Sequence, residues 1–188
     1  MKKILWFIVV AAVIPFLPAC NNDDNEYDLN TFKAWKDQNE QWLKEMQAKK
    51  NPDGTPYYKT IVPSWNTGAF ILMHYFNDRA ETADNLSPLY TSTVDVRYIG
   101  YNCEDEPFDS STLENAYGKL GIRRFQCNAV IQGWSIALMD MKVGDTAEII
   151  VPYEIAYNTS NTGTILPYSN LRFNVRLDDI YRYEANPY

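Results

Sequence analysis

The chain has 188 residues, of which 46% are hydrophobic and 22% are charged, so a soluble globular domain with a buried core is expected. Its net charge of −7 excludes a protein that binds nucleic acid through a basic surface. The aromatic content of 14% is high and indicates either a tyrosine-rich core or an aromatic-lined pocket.

The first 20 residues have the pattern of an export signal. Lysines at positions 2 and 3 precede an apolar run over residues 4–16, which is shorter than the ~20 residues that cross a membrane. Residues 17–20, Leu-Pro-Ala-Cys, resemble the lipobox of bacterial lipoproteins. That resemblance implies a lipoprotein signal peptide over residues 1–19 and a lipid anchor to the membrane at Cys20. An ordinary signal peptide with an incidental cysteine is the alternative.

A polar and acidic segment follows the cysteine. Residues 21–26 include no apolar side chain, so a flexible tether is predicted over residues 20–27. By resemblance to Gram-negative lipoproteins, Asn21 directly after Cys20 is compatible with sorting to the outer membrane. The expected location is an outer membrane lipoprotein facing the periplasm or the cell surface, and the sequence leaves that choice open.

A helix is predicted over residues 28–50. Side chains recur there at steps of three and four residues and form one mostly apolar stripe. Asn30 is a candidate N-cap, and the Asn-Pro-Asp-Gly sequence at 51–54 ends the helix. The stripe favours docking on the chain's own domain, and a homodimer through helix 28–50 is the alternative. Its members are Phe32, Trp35, Asn39, Trp42, Leu43 and Met46.

The next part of the chain carries one predicted strand. Residues 55–68 contain two prolines and are expected to be irregular, whereas the short apolar run at 69–76 is typical of a strand. The only histidine, His74, lies in that strand and is expected to be structural. Residues 77–88 are polar and predict a loop.

From residue 93 the alternation of apolar and polar residues becomes clear. Strands are predicted over 94–98, 146–151 and 171–178, and a short helix over 133–141. Strands around one short helix indicate an α+β domain.

The sequence contains no motif of the common nucleotide-binding, metal-dependent or nucleophilic enzymes. No metal and no cofactor are therefore expected, and any chemistry is expected to depend on the shape and polarity of a pocket. Cys103 and Cys127 remain after the lipobox cysteine. Two buried or half-buried free thiols are the favoured prediction, and a disulfide between them is the alternative.

Five short motifs follow one another in the second half of the chain, and together they resemble the FKBP-type peptidyl-prolyl cis-trans isomerases. They are V-D-V-R-Y-I-G at 94–100 with P-F-D-S-S at 107–111, V-I-Q-G-W at 130–134, M-K-V-G-D at 141–145, V-P-Y-E-I-A-Y at 151–157, and I-L-P, N-L and F-N-V-R-L between 165 and 177.

The resemblance implies an antiparallel β-sheet wrapped around one short helix, with an N-terminal helical extension. It places the isomerase domain at 86–188 and the helix with its extension at 28–85. By the same resemblance, the catalytic residues are Tyr98, Phe108, Asp109, Tyr157 and Phe173. The substrate-binding residues are Phe125, Val130, Ile131, Trp134, Ile165 and Leu166.

The function implied by the resemblance is isomerisation of X-Pro peptide bonds during folding of exported proteins. The expected partners are proline-containing polypeptides. The alternative is an FKBP-like module that binds peptides or proteins, as a chaperone or a component of a surface complex, with little or no isomerase activity.

The chain departs from the family pattern at three places. Asn158 replaces the usual glycine after Tyr157, and asparagine tolerates the left-handed conformation of that turn. The span from 111 to 125 is longer than usual. The arginine that commonly pairs with the aspartate is missing at its usual spacing, and Arg123 or Arg124 is the expected replacement as partner of Asp109.

Overall fold

The computed structural model describes residues 24–111 and 121–184, and for residues 24–30 it describes the backbone only. The predicted signal peptide, the lipidation site at Cys20 and most of the long 111–125 span lie outside the described residues. Within the described part, every helix is too short or too polar to span a membrane.

Across the described residues, one antiparallel sheet of seven strands organises the structure. From one edge to the other the strand order is β1-β2-β6-β7-β3-β4, and β5 pairs with β3 beyond this path. The strands are β1 (Lys59–Ile61), β2 (Ile71–Tyr75), β3 (Thr93–Tyr101), β4 (Pro107–Ser110), β5 (Arg123–Gln126), β6 (Thr146–Val151) and β7 (Leu171–Arg182).

Two α-helices cover opposite faces of this sheet. Helix α2 (Gln132–Asp140) lies on the face that holds the main core, whereas α1 (Asp24–Ala48) packs through Trp42, Leu43 and Met46 on the other face. Because neighbouring residues of a strand point to opposite faces, Leu72 and Ile150 contact the α1 side. Their neighbours Ile71, Met73, Ile149 and Val151 join the main core. The structure therefore has α1 docked on its own sheet, as the favoured interpretation of its stripe predicts.

Helix α1 begins at Asp24, four residues earlier than predicted, and so overlaps the predicted tether over residues 24–27. The sequence there begins Asp-Asn-Glu, and these are residue types that favour a helix N-terminus. Asn30 therefore lies inside the helix, and its prediction as the N-cap is wrong.

The structure adds short strands that periodicity does not reveal. Residues 55–68 were expected to be irregular, but β1 pairs there with β2, and β4 and β5 each have only four residues. The sheet also crosses the predicted domain boundary at 86, because β2 pairs with β6 along the register Leu72 to Ile150. The segment before residue 86 thus supplies two strands to the same sheet as the strands that follow residue 86.

Both described cysteines are free thiols, Cys103 half-buried and Cys127 buried, so the prediction of two buried or half-buried thiols is confirmed. Burial raises the pKa of each thiol to about 11, which keeps both in the unreactive protonated form at neutral pH.

Candidate functional site

A cavity of about 330 Å³ lies between α2 and the sheet. Nine of the eleven pocket residues predicted from the sequence line it, together with Ala129, which was not predicted. The lining residues are Tyr98, Phe108, Asp109, Phe125, Ala129, Val130, Ile131, Trp134, Tyr157 and Phe173. Seven of these ten residues carry no titratable side chain.

The indole of Trp134 forms the floor of this cavity and is 4% exposed. Three rings from different strands surround it at nearly right angles. The centroid distances from Trp134 are 5.0 Å to Tyr98, 5.7 Å to Phe125 and 5.3 Å to Phe173. Edge-to-face contacts of this kind fix ring orientation as well as contributing burial. The floor is therefore a rigid aromatic cluster.

The position of the floor depends on a close approach between α2 and β6. Gly133 lies in the first turn of α2, and a Cβ built there would be 2.3 Å from Cγ1 of Val151. A side chain at 133 would hold the helix away from the strand, so glycine is required for Trp134 to reach its place.

A second glycine allows two rings to meet on the sheet side. Gly100 pairs with Asp109 in β4 and with Phe173 in β7. A Cβ on Gly100 would be 2.7 Å from the Phe108 ring and 2.8 Å from the Phe173 ring. These two rings are edge to face, with centroids 5.6 Å apart. The missing side chain of Gly100 thus leaves the space that they occupy.

The carboxylate in the cavity is bound by a phenol. The Tyr98 hydroxyl donates to Oδ2 of Asp109 at 2.5 Å, and the Ser110 amide donates to Oδ1 at 2.8 Å. Burial raises the pKa of Tyr98, and the hydrogen bond to Asp109 raises it further. The Tyr98 hydroxyl therefore stays protonated and orients the carboxylate.

The two arginines of β5 lie on different faces of the sheet. Arg124 pairs with Asp95 through two hydrogen bonds of 2.7 Å, so its prediction as the partner of Asp109 is wrong. Arg123 is one residue away and shares a face with Phe125, and its positive charge acts on the Tyr98 hydroxyl. The alternation of the strand explains why only Arg123 points towards the cavity side.

Tyr157 stands at the rim, 37% exposed, on the segment between β6 and β7. Burial raises its pKa, and the charge of Asp109 adds to that shift. Asn158 has a φ of 54°, so this asparagine does adopt the left-handed conformation expected of it.

A second cavity of about 300 Å³ adjoins the first across the rim and shares Phe108, Asp109 and Tyr157 with it. Ile165 lines this second cavity with Thr162 and Thr164, while Leu166 is 39% exposed and lines neither. The two threonines and Ala129 carry no motif that sequence analysis could have used.

Across residues 24–111 and 121–184, no three His, Cys, Asp or Glu side chains are grouped so that they could hold a metal ion. The chemistry open to the described site is that of an apolar, aromatic cavity with one oriented carboxylate and phenolic hydroxyls.

Comparison with known proteins finds similarity in the same part of the chain that carries the five motifs. A family model described as FKBP-type peptidyl-prolyl cis-trans isomerase matches residues 87–178. The FKBP-type 22 kDa peptidyl-prolyl cis-trans isomerase of Escherichia coli is 37% identical over 94 residues, which are 50% of this chain and 43% of that protein. The macrophage infectivity potentiator of Trypanosoma cruzi is 36% identical over 106 residues, 56% of this chain and 52% of that protein. The chain thus spans about half the length of these curated relatives.

Solved structures agree on the fold. A peptidyl-prolyl cis-trans isomerase from Pseudomonas syringae superposes with a TM-score of 0.62 at 23% identity, covering 79% of this chain and 95% of that one. FkpA from Escherichia coli gives a TM-score of 0.60 at 22% identity, covering 87% and 74%. The predicted fold, an antiparallel sheet with a short helix and an N-terminal helix, is confirmed.

Proposed function

We propose that this chain, which belongs to the FKBP-type peptidyl-prolyl cis-trans isomerase family through residues 87–178, isomerises X-Pro bonds in the aromatic cavity. The observation that carries the proposal is the cavity itself: aromatic rings packed around Trp134, with a single carboxylate, Asp109, that is held by the Tyr98 hydroxyl.

Prolyl isomerisation suits a cavity of this kind. The peptide bond is held planar by resonance, with a barrier of ~18–20 kcal/mol to rotation. In the twisted transition state that resonance is lost and charge separation falls, so an apolar cavity favours the twisted amide over the polar planar one. Each ~1.4 kcal/mol of this preference gives about tenfold in rate. Neither a proton transfer nor a cofactor is needed.

The proposed roles of individual residues are those that the family resemblance implies. Trp134 packs under the proline ring, while Tyr98, Phe108 and Phe173 present ring edges to the rotating carbonyl oxygen. Because the Tyr98 hydroxyl is engaged by Asp109, the ring stays in place during rotation. The Tyr157 hydroxyl and the Ile131 N–H hold flanking peptide carbonyls, and Phe125, Val130 and Ile165 contact the substrate. Leu166 lines neither cavity and is given no role.

The rate is expected to be nearly independent of pH from about 6 to 8. Burial raises the pKa of Tyr98 and Tyr157 above its ordinary value, so both phenols remain protonated throughout this range and would ionise only at higher pH. Carboxyl groups in general titrate below it, and none of the ten lining residues is histidine, cysteine or lysine. The measurement is kcat/KM for an X-Pro peptide across this range, in a direct assay without a coupling protease.

A bell-shaped profile between pH 6 and 8 would point to acid–base chemistry and contradict the mechanism. Absence of turnover, with proline peptides still bound, would favour the second candidate. In that candidate the cavity holds peptides or a partner without catalysis. The two arginines of β5 favour it, because Arg124 is engaged by Asp95, and the ion pairs among the described residues do not include one between Arg123 and Asp109.

We further propose that the substrates are exported proteins and that the chain acts as an outer membrane lipoprotein. The support is the sequence pattern of residues 1–20, with its short apolar run and its Leu-Pro-Ala-Cys ending. Self-association through α1 stays a proposal too. Its support is the exposed part of the helix, since Trp42, Leu43 and Met46 of the apolar stripe already pack on the sheet.

Cys20→Ser is expected to release the protein from membranes and to abolish incorporation of labelled fatty acid, because the acylated sulfur is lost. Cys103→Ser is the matched control, since it removes a half-buried thiol elsewhere and should leave both properties unchanged. Membrane fractionation and fatty acid labelling provide the measurement. A Cys20→Ser protein that still carries the label would rule out lipidation at this residue.

A further inference from the structure

The rim of the cavity is built by the segment between β6 and β7, residues 152–170, which we call the rim segment. It carries Tyr157 and Ile165, which line the two adjoining cavities. Its first part is a short 3₁₀ helix, Tyr153–Ile155, and the Tyr153 carbonyl accepts from the amides of Ala156 and Asn158. The position of Tyr153 therefore sets the position of the turn that holds Tyr157.

Helix α1 reaches the base of this segment through a fully buried asparagine. Asn39 accepts a hydrogen bond at Oδ1 from the Asn170 amide (2.8 Å), and its carbonyl accepts from Asn170 Nδ2 (2.6 Å). Asn170 Oδ1 in turn accepts from the Tyr153 amide at 2.8 Å. Asn39 and Asn170 are both 0% exposed, and a buried polar side chain is costly unless it is hydrogen-bonded. The three residues thus form a continuous chain of bonds from α1 to the rim segment.

A second set of contacts joins α1 to the residues next to Asn170 and to Tyr153. Trp35 donates from Nε1 to the Ser169 hydroxyl at 3.0 Å, and Ser169 donates to the Leu166 carbonyl at 2.7 Å. The ammonium of Lys36 lies 6.0 Å from the centroid of Tyr153 and 5.8 Å from that of Tyr168. Trp35 and Asn39 are one helical turn apart and so lie on the same face of α1.

We propose that α1 is a positioning element for the cavity, and that Asn39 is the positioning residue through which it fixes Tyr157. In this account the N-terminal helix does more than cover the sheet, because it holds both ends of the segment that carries the substrate-facing tyrosine. The catalytic consequence rests on the proposed isomerase function, whereas the fixing of the rim segment does not.

The test compares two alanine substitutions in the same helix. Asn39→Ala removes the acceptor of the Asn170 amide, whereas Leu43→Ala removes an apolar contact between α1 and the sheet without touching the rim segment. Hydrogen exchange is measured at the amides of Tyr153 and Asn158 and normalised to amides at the centre of β7. Asn39→Ala is expected to accelerate exchange at both amides by about tenfold, and Leu43→Ala to leave the normalised rates unchanged.

Catalysis supplies the second readout. Asn39→Ala is expected to lower kcat/KM for an X-Pro peptide by about tenfold, and to have a much smaller effect when Tyr157→Phe is already present. Leu43→Ala should leave kcat/KM unchanged. Trp35→Phe keeps the ring but removes the donor to Ser169, so a smaller acceleration of exchange is expected, confined to the end of the rim segment near residue 168. If Asn39→Ala fails to fold, this conservative variant still tests whether contacts from α1 hold the rim segment.

Equal acceleration in Asn39→Ala and Leu43→Ala would overturn the proposal, since Asn39 would then contribute only to general stability. Selective acceleration with unchanged kcat/KM would overturn the catalytic role of the contact. If the wild-type protein has no turnover, the proposed function fails, and the exchange experiment alone decides whether α1 fixes the rim segment.

Discussion

Gly133→Ala is expected to lower the free energy of unfolding by about 2 kcal/mol, although alanine is the better helix former. The gain in helix propensity is about 1 kcal/mol. Against it, the new Cβ would lie 2.3 Å from Cγ1 and 2.9 Å from Cγ2 of Val151. Overpacking of this kind costs about 1–3 kcal/mol or more, because the backbone of α2 has to move. Urea unfolding followed by tryptophan fluorescence measures the loss.

The matched control removes the atoms that clash. In a Val151→Ala background both γ-methyl groups are absent, so Gly133→Ala should cost much less there or become stabilising through helix propensity. A double-mutant cycle then shows a coupling free energy of more than about 1 kcal/mol between the two positions. Strictly additive effects would mean that the contact between α2 and β6 does not limit residue 133.

Gly100→Ala is expected to lower kcat/KM by about a hundredfold while leaving the protein folded. Its Cβ would lie 2.7–2.9 Å from ring atoms of Phe108 and Phe173, so one or both rings must move by a substantial part of an ångström. Displacements of about 1 Å at a reacting centre reduce rates by up to about 10²-fold. The measurement is isomerisation of an X-Pro peptide, with the midpoint of thermal unfolding recorded in parallel.

Gly68→Ala provides the comparison for this substitution. Its Cβ would meet only Oδ1 of Asn66, at an ordinary 3.6 Å, on an exposed part of the chain. It should change neither the rate nor the melting temperature. If Gly100→Ala retains full activity, the positions of Phe108 and Phe173 do not control the reaction, and their proposed contact with the rotating carbonyl is wrong.

The elements with a clear period were predictable from the sequence alone. Thr146–Val151 was predicted to the residue, and the alternation from Leu171 to Leu177 fixed the orientation of β7. The strands β1, β4 and β5 were not, because three or four residues are too few to establish alternation. Their pairing depends on neighbours that are distant in the sequence, as with Val96 and Arg123.

The same distinction holds for the site. The ring cluster could be predicted because its residues lie in motifs with the spacing typical of the family, such as Val-Ile-Gln-Gly-Trp at 130–134. The role of Asn39 did not, because its partner Asn170 is 131 positions away and the helical period placed Asn39 among apolar residues of the stripe. Likewise, deciding which of Arg123 and Arg124 faces the cavity required the register of β5, and a strand of four residues is too short for its register to be predicted from the sequence.

Strand β7, the last of the seven in sequence order, lies in the middle of the sheet. β7 pairs with β6 on one side and with β3 on the other, so the strands β1-β2-β6 and β3-β4-β5 have no common neighbour without it. A chain that emerges N-terminus first cannot close its sheet until residues near 182 are available, and pairings between distant segments form slowly. Assembly of the complete sheet is thus deferred until β7 has been synthesised, and the strands made before it cannot close the core by themselves.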